Sequence, residues 1–233
     1  YYLRGFITVN DLKLVFTSFH AKKIIVAIGS VLGWASGKDT LIWGSGIIDR
    51  KSHIKQSQFL AVRGKYTLKR IEDLGLNYNN VKYGDPAILL PLIFKKESVK
   101  KFRMGIIPHY IHFEEVLQIV QDRGLGSEVL VINVLDKVEN VLRRILQCEK
   151  VVSTSLHGLI VPHAYKIPAL WIKLSQNELA GDNIKFYDYF SSVEIQEYER
   201  IDLTGKNAEF SLNLIERLFI EYDEFSTPKE ISK

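Results

Sequence analysis

The segment that most constrains the fold of this chain is residues 151–172, V-V-S-T-S-L-H-G-L-I-V-P-H-A-Y-K-I-P-A-L-W-I. Its apolar start predicts the end of a buried strand, a hydroxyl-rich turn leads into an apolar-periodic helix, and residues 169–172 form the next strand. In a strand-turn-helix unit the helix begins at the carboxyl edge of a parallel sheet, where free N–H groups and the helix dipole favour an anion. Open α/β sheets bind their ligands at that edge. The segment therefore predicts a parallel sheet with an anion-binding turn before His157.

The same alternation of short apolar strands and amphipathic helices runs along the chain, which is typical of α/β proteins. The other predicted strands are residues 22–28, 40–43, 59–62, 102–107 and 128–132, and the other predicted helices are residues 10–20, 67–74, 113–123, 137–147 and 207–222. A charged segment, K-K-E-S-V-K-K at residues 95–101, interrupts the alternation. We therefore predict two Rossmann-like domains with parallel sheets facing a cleft, residues 1–95 and 96–233.

Composition disfavours several classes of protein. The net charge is +4 and the basic residues are scattered, which argues against a nucleic-acid partner. The sequence contains no run of about 18 apolar residues, so no membrane-spanning helix is predicted. The single cysteine, Cys148, cannot form an intramolecular disulfide. The chain begins at Tyr1 and not at methionine, which is compatible with a fragment that lacks part of its amino-terminal portion.

Two common kinds of ligand site lack their motifs here. The dinucleotide fingerprint G-x-G-x-x-G and the Walker P-loop are absent from the sequence, which disfavours a nicotinamide or P-loop site. Among six histidines only His109 and His112 are close in sequence, and no Cys/His cluster has the spacing of a zinc site. We therefore predict no metal site.

The turn at residues 153–158 carries the strongest catalytic candidate, His157. An imidazole at a sheet edge suits general acid/base catalysis; the alternative is a helix-start histidine that bonds a neighbouring strand. Ser153, Thr154 and Ser155 can donate to phosphate or carboxylate oxygens, and one of these hydroxyls is also expected to cap the helix. No S-x-x-K or G-x-S-x-G pattern surrounds these hydroxyls, so a serine nucleophile is not predicted.

Other candidates follow predicted strands in the first half of the chain. Arg63 can bind a carboxylate or phosphate, or it can pair with an acidic side chain. The segment Trp43-Gly44-Ser45-Gly46 can stack a sugar ring and allow close approach of the backbone, or it can form a tight turn behind a buried tryptophan. Gly29 and Ser30 end the first predicted strand.

Three further polar residues are candidates from their positions alone. His109 follows a predicted strand and either lines the site or lies in an ordinary loop. Lys185 and Asp188 are three residues apart, which would place them on one face if this segment is helical, and a local ion pair is then the simplest interpretation.

An ordered set of segments resembles the polysaccharide pyruvyl transferase family. Residues 153–171 resemble its signature. The other matching segments are A-I-G-S-V-L (27–32), I-W-G-S-G-I (42–47), V-R-G-K-Y-T (62–67), Y-G-D-P-A (83–87), I-I-P-H-Y (106–110) and K-F-Y-D-Y-F (185–190). They cover most of residues 22–190, and the ordered set is more specific than any single motif.

The resemblance implies a GT-B-like arrangement and transfer of a pyruvyl group from phosphoenolpyruvate to a sugar, often as a cyclic ketal. It implies no cofactor besides this donor substrate. The acceptor would be a sugar, an oligosaccharide or a lipid-linked glycan, as in capsule or exopolysaccharide synthesis. The implied location is cytoplasmic, with peripheral association with the inner face of the membrane left open.

The resemblance also implies site roles. His157 matches the histidine of the family's donor site, and Arg63 resembles the arginine of an R-G or R-D segment. The remaining residues implied at the donor site are Thr154, Ser155, Leu156 and Gly158. The predicted substrate-binding residues are Gly29, Ser30, Trp43, Gly44, Ser45, Gly46, His109, Lys185 and Asp188. Many members carry an arginine where this chain has Ser155, so this chain must bind the donor's anionic groups differently if that arginine holds them.

Two other functions fit the same sequence. One is a glycosyltransferase that uses a nucleotide sugar in the same kind of cleft. The other is a non-catalytic glycan-binding subunit, for which Ser155 and the short amino-terminal region are the motivation.

Overall fold

The computed structural model describes residues 24–95, 98–204 and 210–229. The predicted helix at residues 10–20 lies outside the described residues. Contacts divide the chain into two compact units. Among the described residues, the first unit contains 24–87 and 180–195, and the second contains the others.

Short strands and helices alternate along the described residues. The strands are β1 (Ile24–Val26), β2 (Thr40–Trp43), β3 (Gln58–Val62), β4 (Lys82–Tyr83), β5 (Phe102–Ile107), β6 (Val129–Val131), β7 (Cys148–Ser153), β8 (Ala169–Lys173) and β9 (Ile201–Asp202). The α-helices are α1 (Leu32–Ala35), α2 (Lys65–Asp73), α3 (Leu90–Ile93), α4 (Phe113–Asp122), α5 (Val138–Leu146), α6 (His157–Ala164), α7 (Ile184–Ser192) and α8 (Leu212–Glu221). Single 3-10 turns cover Pro86–Leu89, Tyr110–His112 and Asp223–Phe225.

The first unit contains a parallel sheet in the order β1-β2-β3-β4. Alternate residues of its strands point into one core, so that Ile42 of β2 and Val62 of β3 are both fully buried. Ile184, at the start of α7, packs into the same core although it lies far away in sequence. Because α7 belongs to the first unit, its polar residue Asp188 lies in this unit as well.

The second unit contains a parallel sheet in the order β6-β5-β7-β8-β9. β5 has β6 on one side and β7 on the other, so the order of the strands reverses at this point. In open α/β sheets such a reversal leaves a crevice at the carboxyl ends of the two central strands, where ligands bind. Here those ends lead into residues 108–112 and 154–156.

The predicted α/β class with parallel sheets is confirmed. Five elements were not predicted. Four of them, β4, β9, α1 and α3, have only two to four residues each, too few to show a periodic pattern. The fifth is α7, whose helical conformation was only a condition for placing Lys185 and Asp188 on one face. Residues 207–209 of the predicted closing helix lie outside the described residues. The described helix begins at Leu212, where Ser211 accepts a hydrogen bond from the Leu214 N–H and caps it. The domain division at residues 95/96 stays a prediction, and contacts group residues 180–195 with the first unit.

His163, on α6, gives the second unit a dependence on pH. Its Nε2 lies 3.3 Å from the Ala169 carbonyl oxygen and 3.1 Å from that of Ser226, so this nitrogen carries the donated proton. Burial lowers the pKa of His163 from 6.5 to about 4. Because the unfolded chain binds a proton there at a higher pH than the folded chain, stability is full above pH 6.5 and falls as the pH approaches 4.

We therefore expect His163→Gln, which donates a hydrogen bond but does not titrate, to have a flatter dependence of stability on pH. The wild-type protein should lose about 3 kcal/mol more than the variant across that interval. Urea unfolding at several pH values measures this difference. Parallel curves for the two proteins would contradict the assignment.

Candidate functional site

Loops that follow β1, β2 and β3 meet at the carboxyl edge of the first sheet. The Gly29 carbonyl accepts hydrogen bonds from the Ser45 hydroxyl at 2.7 Å and from the Gly46 N–H at 3.0 Å. The Arg63 N–H donates to the Ser45 carbonyl at 3.2 Å. The structure thus brings together the glycine- and serine-containing segments that the sequence placed at strand ends.

The guanidinium of Arg63 lies within this loop cluster and is fully buried. Its Nε donates to Asp188 Oδ2 at 3.0 Å, Nη1 donates to the Ser30 hydroxyl at 2.7 Å, and Nη2 donates to the Ile47 carbonyl at 2.6 Å. Gly46 leaves the room for this group, since a Cβ there would lie 2.5 Å from Arg63 Cζ. One side chain therefore holds the loops after β1 and β2 to the end of β3.

Asp188 and Thr67 close this network into a ring. Asp188 accepts hydrogen bonds from the Thr67 N–H at 2.8 Å and from its hydroxyl at 2.6 Å. The same hydroxyl accepts the Ile47 N–H at 3.2 Å, so Ile47 is held at both its N–H and its carbonyl. Thr67 could not be identified from local sequence patterns, because its partners lie 20 and 121 residues away.

The structure excludes two of the alternatives that the sequence left open at this edge. Asp188 pairs with the fully buried Arg63 and not with Lys185. Trp43 is 44% exposed, so it does not form a buried tryptophan behind a tight turn. The donor-carboxylate role of Arg63 stays a prediction, while the structure shows all three guanidinium nitrogens engaged within the protein.

Lys185 lies in the first turn of α7, close to this network. Its side chain is half-buried, and Nζ lies 5.5 Å from the centre of the Phe186 ring. Burial, and then the positive charge of Arg63, lower the pKa of Lys185 to about 8.

A second group of candidates meets at the strand reversal of the other sheet. Thr154, after β7, accepts the N–H of His109, which follows β5, at 2.8 Å. The Ser153 hydroxyl donates to the Ile107 carbonyl at 2.6 Å and accepts the Ser155 N–H at 2.9 Å. These bonds join the two loops where the sheet predicts a ligand crevice.

Helix α6 starts at His157, at the end of this turn. The expected hydroxyl cap is wrong: the N-cap residue is Leu156, and no side chain caps the helix. The Ser153 hydroxyl bridges β5 and the turn instead. Gly158 is needed for this packing, because a Cβ there would clash with Ser153 Oγ.

The ring of His157 is half-buried, whereas the next three apolar residues of α6 are completely buried. These three, Leu159–Val161, supply the packing of the helix, as the sequence predicted. Leu156 is also buried, at 5% exposure, so its side chain contributes to packing. His157 and Ser155 are the partly exposed side chains of residues 153–158.

His112, which the sequence did not single out, connects three loops at this edge. Its Nε2 lies 3.0 Å from the Asn177 carbonyl oxygen, so Nε2 carries the donated proton. Its Nδ1 lies 3.4 Å from the Thr154 hydroxyl, which can donate to it. This series of hydrogen bonds, from Asn177 through His112 and Thr154 to His109, therefore joins the loops after β8, β7 and β5. The sequence feature that could have pointed to His112 is its position three residues after His109, another histidine.

We expect His112→Phe to lower the free energy of unfolding by about 1–3 kcal/mol, because it leaves the Asn177 carbonyl without this donor. Chemical denaturation measures the change. His53→Phe, at an exposed histidine of the first unit, is the control and should stay within about 0.5 kcal/mol. Equal stability of the two variants would contradict the structural role of His112.

Over residues 24–95, 98–204 and 210–229, no group of three or more His, Cys, Asp or Glu side chains is arranged to hold a metal ion. In the same part of the chain, no helix is both long and apolar enough to cross a membrane.

Comparisons with known proteins agree with the motifs. A sequence profile described as polysaccharide pyruvyl transferase matches residues 6–176. An uncharacterized protein of Acanthamoeba polyphaga mimivirus is 34% identical over 192 residues, which cover 80% of this chain and 66% of that relative. The chain thus spans just under two thirds of the length of that relative. No solved structure matches the chain significantly.

Proposed function

Because the chain belongs to the polysaccharide pyruvyl transferase family, we propose that it transfers a pyruvyl group from phosphoenolpyruvate to two hydroxyls of a sugar. The product is a cyclic ketal on a polysaccharide or its precursor. The observation that most supports this reaction is the position of His157 at the first residue of α6, beside the strand reversal at β5 and β7. A GT-B-like arrangement of the two units and a cytoplasmic location belong to the same proposal.

The reaction balances without a further reactant. A sugar hydroxyl adds to C2 of the enol and C3 gains a proton, which turns the methylene group into a methyl group. The C2–O bond to phosphate then breaks, and inorganic phosphate leaves. A neighbouring hydroxyl adds to C2 and closes the ketal, and its proton leaves with phosphate or solvent.

In this mechanism His157 exchanges a proton with the reacting groups as a general acid or base. The start of α6 offers backbone N–H groups and the positive end of the helix dipole to the donor's phosphate. The Ser155 hydroxyl, partly exposed next to His157, is placed to donate to the same anion. Thr154 and His112 hold the surrounding loops in place.

The edge of the first sheet suits the sugar acceptor. The exposed ring of Trp43 offers an apolar face on which a sugar ring can stack. The loop from Gly44 to Gly46 follows directly and presents backbone groups. Arg63 enters the proposal as the residue that holds these loops, because its guanidinium is buried and each of its three nitrogens donates to a protein atom.

The test is incubation of the purified protein with phosphoenolpyruvate and a panel of free, nucleotide-linked and lipid-linked sugars. We expect release of inorganic phosphate together with a pyruvyl mass gain on one class of acceptor. Parallel reactions supply nucleotide sugars as donors in place of phosphoenolpyruvate. Glycosyl transfer with release of a nucleoside diphosphate would favour the glycosyltransferase, and glycan binding without turnover of either donor would favour a binding subunit.

A further inference from the structure

One face of the first sheet forms the core of its unit. Val26 of β1, Ile42 of β2 and Phe59 of β3 are buried on this face. Leu32 of α1 and Ile71 of α2 belong to the same buried cluster. The helices that follow β1 and β3 therefore cover this side of the sheet.

The opposite face of the same three strands is apolar and exposed. Successive side chains of a strand point to opposite faces, so Ile25, Leu41 and Leu60, each next to a core residue, point away from the core. Ile25 is 65% exposed and Leu60 is 43% exposed. Leu41, which pairs with Ile25 in the register of β1 and β2, is partly exposed. These three side chains form the outer face of the sheet.

An exposed apolar face is unusual for a parallel sheet. Parallel sheets of α/β proteins carry helices on both faces, and both faces of their strands are apolar for that reason. Covering such a face stabilises a protein by about 25 cal/mol for each Å² of apolar surface that is removed from water. The outer face therefore has the chemistry of a docking surface for an apolar helix, and the described residues leave it exposed.

The segment that leads into β1 has the pattern of such a helix. Residues 10–20, N-D-L-K-L-V-F-T-S-F-H, lie outside the described residues, and their sequence predicts a helix. Leu12, Val15, Phe16 and Phe19 follow the i, i+3, i+4, i+7 spacing, which places them on one apolar stripe of that helix. Large aliphatic and aromatic side chains on one stripe suit an aliphatic sheet face.

The length of this segment and its connection to the sheet also fit. A helix over residues 10–20 would be about 16 Å long, and three neighbouring strands span about 10 Å. Residues 21–23 connect the segment to Ile24 and can extend over about 10 Å, roughly the spacing of packed layers. Such a short connection gives an effective concentration of about 1 mM or more at the outer face, which favours this segment over a second copy of the chain.

We propose that residues 10–20 dock as a helix on the outer face of the first sheet, with the apolar stripe against Ile25, Leu41 and Leu60. The first unit then has helices on both faces of its sheet, as doubly wound α/β domains do. In this arrangement the exposed ring of Trp43, two residues nearer the carboxyl edge than Leu41, remains available for the sugar. The inference does not depend on pyruvyl transfer, because it rests on the exposure of the sheet and the pattern of the segment.

The test is the rate at which a maleimide labels the Leu60→Cys variant of the whole chain. The native Cys148 is completely buried, so it contributes little to the signal. Adding Phe16→Asp should raise the labelling rate about tenfold or more, because a covered thiol reacts only when its cover opens. Adding Leu14→Asp is the matched control, since Leu14 falls on the opposite side of the predicted helix, and it should leave the rate unchanged.

Three results would overturn the inference. The first is labelling of Leu60→Cys as fast as that of Leu92→Cys, which places a thiol at an exposed position of the second unit. The second is equal labelling in the Phe16→Asp and Leu14→Asp variants. The third is protection that appears only as the protein concentration rises, which would assign the outer face to a second copy.

A milder variant separates loss of the cover from loss of the fold. Phe16→Ala introduces no charge and should also accelerate labelling of the Leu60→Cys variant, although less than Phe16→Asp. Its circular dichroism spectrum should remain close to that of the Leu14→Asp variant, because the core face of the sheet is unchanged. Unchanged labelling in a folded Phe16→Ala variant would contradict docking through this stripe.

Discussion

Replacing His157 by alanine is expected to lower kcat for the proposed pyruvyl transfer by at least about a hundredfold, the usual scale for loss of a general acid or base. The side chain stands at the start of α6 and is half-buried, while the packing of that helix rests on the buried Leu159–Val161. The variant should therefore remain folded. Phosphate release under saturating donor and acceptor measures kcat.

Two further variants sharpen this test. His157→Gln can still form hydrogen bonds but cannot exchange protons in the same way, so it should be nearly as impaired as the alanine variant if the role is acid/base. His53→Ala removes an exposed histidine of the first unit and should leave the rate unchanged. Near-normal turnover by His157→Ala would reject the catalytic assignment.

The largest loss of stability is expected from breaking the buried pair of Arg63 and Asp188. Arg63→Met should lower the free energy of unfolding by about 3–5 kcal/mol, because it leaves the Asp188 carboxylate buried without its counterion. Both side chains are fully buried, so solvent cannot replace the lost partner. Chemical denaturation, followed by tryptophan fluorescence, measures the change.

Arg50→Met is the matched control, because Arg50 also pairs with an aspartate in the same unit but at an exposed position. Exposed pairs contribute about 0–1 kcal/mol, so this variant should be close to wild type. The double variant Arg63→Met/Asp188→Leu should recover part of the stability lost in Arg63→Met, since no buried charge is left alone. Equal losses in Arg50→Met and Arg63→Met would show that the buried pair has no special role.

Much of the fold follows from local patterns in the sequence. Strands such as β3 and β5 are apolar segments bounded by turn residues, and helices such as α4 show the periodicity of one buried face. Such patterns lie within a few residues, so they can be read without knowledge of the rest of the chain. The short β4 and β9 have two residues each and contain no such pattern.

The candidate site was predictable to a smaller degree. The position of His157 at a helix start, and of the Gly44–Gly46 loop at a strand end, followed from the local order of elements. The absence of the expected hydroxyl cap could not be predicted in this way, because the Ser153 hydroxyl donates to the Ile107 carbonyl of a neighbouring strand. Sequence order does not state which strand becomes the neighbour.

The sequence alone determined the parallel α/β class, the strand ends where polar residues gather and the family motifs. Only the tertiary structure decided that Arg63 is buried against Asp188, 125 residues away, and that His112 joins three loops. The reason is physical. Periodicity and turn chemistry act between near neighbours, whereas the burial of a charge and the choice of its partner depend on where α7 returns to the first sheet.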